Sequence, residues 1–250
     1  MKLFLEKNTF IDTSEPIDIS IPLSDTEENP KAWYVEKPTF EPVRNENYIG
    51  SVIEGGNVNF RDIFFNPHGH GTHTECLGHI TEQVYSINKT LDTFFFNAKL
   101  ITITPLERKN KDGNLDLVIS PWQIENLIDD CEALIIRTSP NSIEKKSMNY
   151  SATNPPYYDV DCVALLLEKG IKHLLIDLPS VDRESDKGKL AFHHAFWEVP
   201  ENPNFDRTIT EMIYVDDTIE DGEYILNLQV APFENDASPS RPVLYKQKKS

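Results

Sequence analysis

Apolar and polar positions alternate in short runs along this chain, and only one stretch carries a long helical stripe. PIDISIPLS (16–24) alternates closely enough to predict a strand, and KLITITPLE (99–107) predicts a second, built from β-branched residues. NKDGN (110–114) reads as a turn, and EALIIRTS (132–139) as a short buried strand. In YYDVDCVALLLEKGIKHLLIDLPSVD (157–182) an amphipathic helix stops at Gly170 and a strand follows over HLLIDL. A further helix is expected over SPWQIENLIDD (120–130), with Ser120 as N-cap and Pro121 at the first helical position. SVIEGGNVNFRDIFFN (51–66) predicts two strands about a Gly-Gly-Asn turn, leading straight into a histidine-rich segment. The preceding KAWYVEKPTFEPVRNENYIG is proline-punctuated and aromatic, as a loop or edge near a site would be. TITEMIYV, EYILNLQVAP and RPVLYK add three strands, and the closing KQKKS reads as a frayed, solvated end. Strands outnumber helices, so the expected fold is α/β: one domain over residues 1–250 with a mixed, barrel-like β core flanked by helices.

Composition narrows the classes of function. A chain of 250 residues with 39% hydrophobic content and thirteen phenylalanines has enough apolar surface for a sizeable core. The formal net charge of −17 argues against nucleic acid or an anionic membrane as a partner. The apolar run at the amino terminus is too short for a secretory core, and nothing approaches the roughly 20 apolar residues of a membrane helix. Three widely spaced cysteines without a CxxC pair fit reduced thiols and a cytoplasmic location. Neither a GxSxG elbow nor a phosphate-binding glycine loop is present.

Histidine is where the chemistry concentrates. Four of the seven histidines fall in NPHGHGTHTECLGHI (66–80), and two more are adjacent in LAFHHAFW. Two clusters so far apart in sequence are what a metal site assembled by folding would require. On extended backbone His68 and His70 share a face, and so do His73 and Glu75. Imidazoles with a carboxylate suit zinc, iron or manganese rather than calcium. His173, alone on a strand, reads as structural. In TITEMIYV, Glu211 falls on the same face as Ile209, Ile213 and Val215, so it needs an ion partner, a proton or a metal.

These residues resemble the HxGTHxDxPxH signature of the cyclase family of metal-dependent hydrolases, whose best-known members are bacterial kynurenine formamidases. The resemblance extends, in order, through PIDISIPLS, GIKHLLIDLPSVD, HHAFW, TITEMIYVDD and GEYILNLQVAPFENDASPSRPVLY, most of the chain. It implies metal ligation by His73, by Glu75 in place of the family's aspartate, by Glu211, and by His193 or His194. His193 is preferred, because the bulky pair Phe196 and Trp197 then follows as in relatives. His79 matches the histidine that moves protons. The signature's first histidine falls on Gly69, leaving His68 or His70 to replace it; His68 fits a bulged approach, whereas His70 would need the loop to turn. Leu77 stands for the proline, and EVPENPNFDR (198–207) resembles an insertion.

The activity so implied is hydrolysis of an amide, formamide or lactam, in a small molecule, with zinc or manganese as cofactor and His79 as proton shuttle. The alternative is a metal- or ligand-binding relative without hydrolysis; a third is other chemistry on the same scaffold, such as dehydration or ring closure. Phe196, Trp197 and Tyr157 are expected to wall the substrate pocket, with Trp33, Tyr34, Phe40, Tyr48, Tyr150 and Tyr158 as further aromatic candidates. Asp177 and Ser180 are expected to brace the site. A homodimer or homotetramer is implied by the resemblance alone.

Overall fold

The computed structural model describes residues 1–128 and 131–249. Its centre is a nine-stranded curled sheet. In chain order the strands are β1 (Ile17–Asp18), β2 (His73–Glu75), β3 (Phe95–Ile103), β4 (Ala133–Thr138), β5 (His173–Ile176), β6 (Thr208–Glu211), β7 (Gly222–Asn227), β8 (Ala237–Pro239) and β9 (Val243–Lys246). Their spatial order is β8-β2-β6-β5-β4-β3-β7-β9-β1. The middle of the sheet, β6-β5-β4-β3, is parallel, and both flanks are antiparallel. The mixed sheet, with few helices beside it, is the α/β architecture the sequence predicts.

Burial explains the centre. All six residues of ALIIRT in β4 and all four of HLLI in β5 are buried, as parallel strands covered on both faces must be. Two short helices pack nearby, α1 (Cys162–Glu168) and α2 (Ala191–Phe196). Gly170 ends the first helical unit with φ 74°, as its position after the apolar stripe predicts.

Several local expectations are corrected by long-range pairing. PIDISIPLS contributes only β1; Ile19 and Ile21 stay buried, but their backbone bonds to Pro242 and to the Thr72 hydroxyl instead of continuing a ladder. The stretch 51–66 does not form its own hairpin. A single 3-10 turn, Val52–Glu54, is followed by a strand, Arg61–Phe64, that pairs with Thr39–Pro42 to make a projecting arm. The helix expected from Ser120 spans only Pro121–Ile124 among the described residues, Asp129 and Asp130 lying outside them. The closing segment is not frayed: Lys248–Lys249 pairs with Thr9–Asp12, while Ser250 lies outside the described residues. No helix is long and apolar enough to cross a membrane among the described residues.

His173 is the structural residue its isolation suggests. Its Nδ1 lies 2.8 Å from the Thr208 hydroxyl, and its ring centroid is 4.0 Å from that of Phe96. Burial pushes its pKa down to about 4. The unfolded chain, with an ordinary imidazole near 6.5, therefore takes up the proton first as the medium acidifies. This site's contribution is intact above about pH 6.5 and falls away toward pH 4, a loss of about 3 kcal/mol at most. His173→Gln should flatten that part of the stability-versus-pH curve in chemical denaturation. An unchanged slope would remove His173 from the account.

Candidate metal centre

Register places the first two functional side chains. β2 lies between β6 and β8, with His73 directly opposite Glu211 and Glu75 opposite Ile209 on one side and Ala237 on the other. Residues two apart share a face of a strand, so His73 and Glu75 point together, and Glu211 joins them from β6. His73 Nε2 is 3.5 Å from Glu211 Oε2. On the opposite face the hydroxyls of Thr74 and Thr210 meet at 2.8 Å, which locks the register.

The preceding loop brings in a fourth side chain. Gly71 takes φ 139°, a conformation that side chains disfavour, and its carbonyl accepts a hydrogen bond from His73 Nδ1 at 2.9 Å. That bond leaves His73 Nε2 as the bare nitrogen facing the cluster. Upstream, Asn66 and Gly69 close a turn in which the Gly69 amide donates to the Asn66 carbonyl and side chain. A Cβ at Gly69 would come within 2.8 Å of Val35 Cγ2 and 3.3 Å of the Ala32 carbonyl. The chain is thus pressed against 32–35 at the position where the family signature has its first histidine, and the turn swings His68 inward instead. His68 Nδ1 lies 3.1 Å from Glu75 Oε2.

His70 does not join the cluster, which corrects its candidacy as a ligand. Its Nδ1 accepts from the Asn66 amide at 2.7 Å and its Nε2 donates to the Glu36 carbonyl at 2.6 Å, so both ring nitrogens are committed to holding the loop.

The late cluster resolves in a similar way. On α2, His193 is buried with Nε2 3.1 Å from Glu75 Oε1 and 3.9 Å from Glu211 Oε1. Its Nδ1 donates to Asp182 Oδ2 at 2.6 Å. The same carboxylate accepts from the amides of Phe192 and His193, fixing the start of the helix and the ring together. His194 faces elsewhere, its Nδ1 donating to the Val199 carbonyl at 3.1 Å, so it too is corrected as a candidate. His79 lies at the cavity wall, with Nε2 3.9 Å from Glu75 Oε2 and Nδ1 3.4 Å from Asp236 Oδ2.

Two carboxylates at the site were not singled out in the sequence, Asp182 and Asp236. Asp182 lies in the segment after β5, where the Ser180 hydroxyl accepts from its amide at 3.1 Å. Asp236 immediately precedes β8 and contacts His68 and His79. Acidic residues are too common in this chain, 41 of 250, for either to stand out.

The electrostatics describe a cage short of positive charge. Burial alone would lower the His193 pKa, but hydrogen bonds to Asp182 and Glu75 and the charges of Glu75 and Glu211 raise it to about 10. His68 is likewise raised to about 10, against its burial, by Asp236 and Glu75. Glu211 moves upward through burial and the neighbouring charge of Glu75. Glu75 moves well below the ordinary carboxylate range; burial opposes this, but His79, His193 and His68 outweigh it.

Among the described residues five buried side-chain polar atoms lack a hydrogen-bond partner, and three of them are His73 Nε2, Glu75 Oε2 and Glu211 Oε1. Orphaned acceptors of that kind are costly to bury, and a cation among them removes the cost. Donor sets His68–His73–Glu75 and Glu75–His79–His193 each bring their ligand atoms within 4.8 Å of one another. The residues present therefore fit a divalent ion.

A cavity of about 290 Å³ opens onto the cluster, lined by Trp33, His68, His79, Arg183, Leu190 and His193 among others. The aromatic wall is Trp33. Phe196 and Trp197 are instead fully buried core residues, Trp197 donating from Nε1 to the Arg207 carbonyl and packing 5.3 Å from the His193 ring. Tyr157 donates to Asp116 at 2.9 Å and lines a neighbouring depression. All three expectations of pocket lining are corrected: the helix turns the first two inward, and Asp116 claims the third. Asp177, expected to brace the site, instead ties β5 to β4, accepting from the Thr138 amide and from Lys145, whereas Ser180 lines the cavity.

A curled mixed sheet here gathers imidazoles and carboxylates beside a small cavity, a site able to hold a divalent cation. The model of the family described as Putative cyclase matches residues 17–183, and the chain belongs to that family. It is 29% identical over 235 residues to the kynurenine formamidase of a Bacillus cereus strain, covering 93% of this chain and 98% of that protein. It is also 29% identical over 234 residues to the kynurenine formamidase of Bacillus thuringiensis strain Al Hakam, with the same coverage. Among solved structures, a predicted metal-dependent hydrolase from Bacillus stearothermophilus superposes with TM-score 0.63 at 19% identity, over 92% of this chain and 98% of that one. An isatin hydrolase bound to the product analogue thioisatinate gives TM-score 0.64 at 14% identity, over 94% and 93%. At those identities the likeness to the solved structures is one of fold.

Proposed function

We propose that the chain is a divalent-metal-dependent hydrolase that opens an amide bond, a formamide or a lactam, in a small aromatic molecule. The observation that carries this reading is the set of orphaned buried atoms, His73 Nε2, Glu75 Oε2 and Glu211 Oε1, beside a cavity with a histidine in its wall. His68, His73, Glu75, His193 and Glu211 would hold the cation. Nitrogen and carboxylate donors favour zinc or manganese. An ion there supplies Lewis acidity toward a carbonyl and makes water a stronger acid.

The chain's own residues supply the rest. His79 Nε2 faces the cluster and accepts a proton from the attacking water, then returns it to the departing nitrogen. Asp182 keeps His193 in one tautomer and one orientation. Trp33 and Leu190 offer an apolar wall against which an aromatic ring can lie. A volume of about 290 Å³ sits at the low end of the roughly 300–1,000 Å³ usual for small-molecule sites, which suits a substrate of one or two rings. Relatives named for kynurenine formamide and isatin cleavage support both amide classes as candidates.

The arm adds support for a homo-oligomer, since Ile53, Phe60 and Phe64 stand exposed along it. Purified protein should be stripped of metal, reloaded with zinc or manganese, and assayed on N-formylanilines and benzo-fused lactams, with its mass in solution measured by light scattering. Turnover that appears with the ion and disappears with a chelator is the expected result. Tight ion binding with no turnover on either class would favour the non-hydrolytic alternative. Failure to bind any divalent ion would sink the reading.

A further inference from the structure

Three of the four imidazoles at the centre have a nitrogen held by an acceptor that also fixes which nitrogen faces inward. His73 gives Nδ1–H to the Gly71 carbonyl and His193 gives Nδ1–H to Asp182, so both present Nε2. His68 is reversed. It presents Nδ1 toward Glu75, and its Nε2 lies 2.8 Å from Asp236 Oδ2. The reversal goes with its arriving one residue earlier than the signature's first histidine; at position 69 a Cβ would press on the Val35 side chain and the Ala32 carbonyl. A histidine entering from that angle reaches the cluster with the nearer ring nitrogen and leaves the farther one pointing away.

We propose that Asp236 is the positioning residue that makes this substitution work: by accepting from His68 Nε2–H it turns Nδ1 to the cluster, and with the same oxygen it aligns His79. This inference rests on the hydrolase reading given above. The Asp236 carboxylate is well placed for both tasks. Its backbone carbonyl accepts from the Cys76 amide at 3.1 Å, and the next residue, Ala237, is in register with Glu75. Asn235 is held as well, its carbonyl accepting from the Ile87 amide and its side chain donating to Ala237. The strand edge therefore aims the side chain, which is largely shielded from solvent. Asp236 Oδ2 reaches His79 Nδ1 at 3.4 Å, and the His68 and His79 rings stack with centroids 4.2 Å apart. One carboxylate oxygen thus sets two adjacent rings, one directed to the ion and one to the proton in flight.

The test uses the full chain labelled with ¹⁵N-histidine, metal-free and zinc-loaded, as wild type, Asp236→Ala and Asp236→Asn. In wild type a protected, downfield ring proton is expected on His68 Nε2 in both states, with zinc attached through Nδ1. In Asp236→Ala that proton disappears, and zinc affinity by chelator competition falls roughly 10- to 100-fold, as for other residues that orient a ligand. Turnover should fall through kcat with KM little changed, and the His193 ring, held by Asp182, should keep its signal. Asp236→Asn, which preserves volume, keeps the bond in weakened form and gives an intermediate affinity.

A His68 Nε2 proton that survives in Asp236→Ala, or one missing from wild type, overturns the proposal. So does loss of one bound ion per chain with the His68 signal unchanged, since Asp236 would then be a ligand itself. Wild type that binds no zinc yet shows the Asp236-dependent proton would defeat the hydrolase reading while supporting the positioning role.

Discussion

Glu211→Gln is expected to cut turnover and divalent-ion affinity, yet to make the metal-free protein melt at a higher temperature. The two effects have opposite signs for one reason. Glu211 is buried opposite His73 and close enough to Glu75 for that charge to raise its pKa. Without a cation, two carboxylates share a space that holds one comfortably. Removing one charge relieves the metal-free fold, and each kcal/mol gained raises the midpoint by roughly 2–4 °C in a chain of this size. With an ion bound as proposed, the carboxylate would be a ligand, and losing it would remove several kcal/mol of stabilisation, on the order of 10³-fold in rate. His73→Ala shares the loss of ion and rate but not the gain in stability, because it leaves a cavity in place of a buried ring. His70→Ala is the control. Its ring holds the Asn66 and Glu36 backbone, so ion content should be retained even if stability drops. Calorimetry of stripped protein, with metal content by mass spectrometry, decides the matter; a metal-free Glu211→Gln that melts lower than wild type would show that the pair of carboxylates is not under strain.

His79→Gln is expected to keep ion binding and lose its rate. The His79 ring is at the cavity wall, partly exposed, and Nε2 stands 3.9 Å from Glu75, farther than His68 or His193. A group that moves a proton without holding the ion contributes on the order of 10²–10⁴ in kcat. Ion affinity should stay within a few-fold of wild type. Single-turnover kinetics on the zinc-loaded variant separates the two roles: ion loss equal to that of His73→Ala would make His79 a ligand instead.

Much of this molecule was legible because the central strands carry their own pattern. β4 and β5 are covered on both faces, so uninterrupted aliphatic runs identify them without knowledge of their neighbours. Residues 51–66 defeat the same approach. Gly56 packs its backbone against the carbonyls of Ile49 and Ser51, closing a compact loop, and Arg61–Phe64 finds its partner at Thr39–Pro42. Turn residues announced a turn, but not which segments it would join. The tail Lys248–Lys249 was missed for a related reason, since its partner lies at the other end of the chain.

At the site, spacing alone brought His73 and Glu75 to one face and suggested Glu211. It could not choose between His68 and His70, because that choice is made by the turn from Asn66 to Gly69 and by a contact with Val35. Phe196 and Trp197 follow His193 at +3 and +4, which on a helix places them beside it. What spacing did not reveal is that this side faces the core. Asp182 and Asp236 lie in stretches that carry the resemblance, but only the folded chain shows which ring each one holds.

The contact between Gly69 and Val35 also bears on how such a site changes by mutation. Installing the histidine of the family signature at position 69 drives a Cβ to within 2.8 Å of a valine methyl, so that step makes the Val35 side chain shift. Removing His68 first leaves Glu75 without one of its ligand neighbours. Reaching the family's arrangement from this chain therefore asks something of position 35 as well as of 68 and 69, because the valine methyls must give way before a side chain can enter at 69.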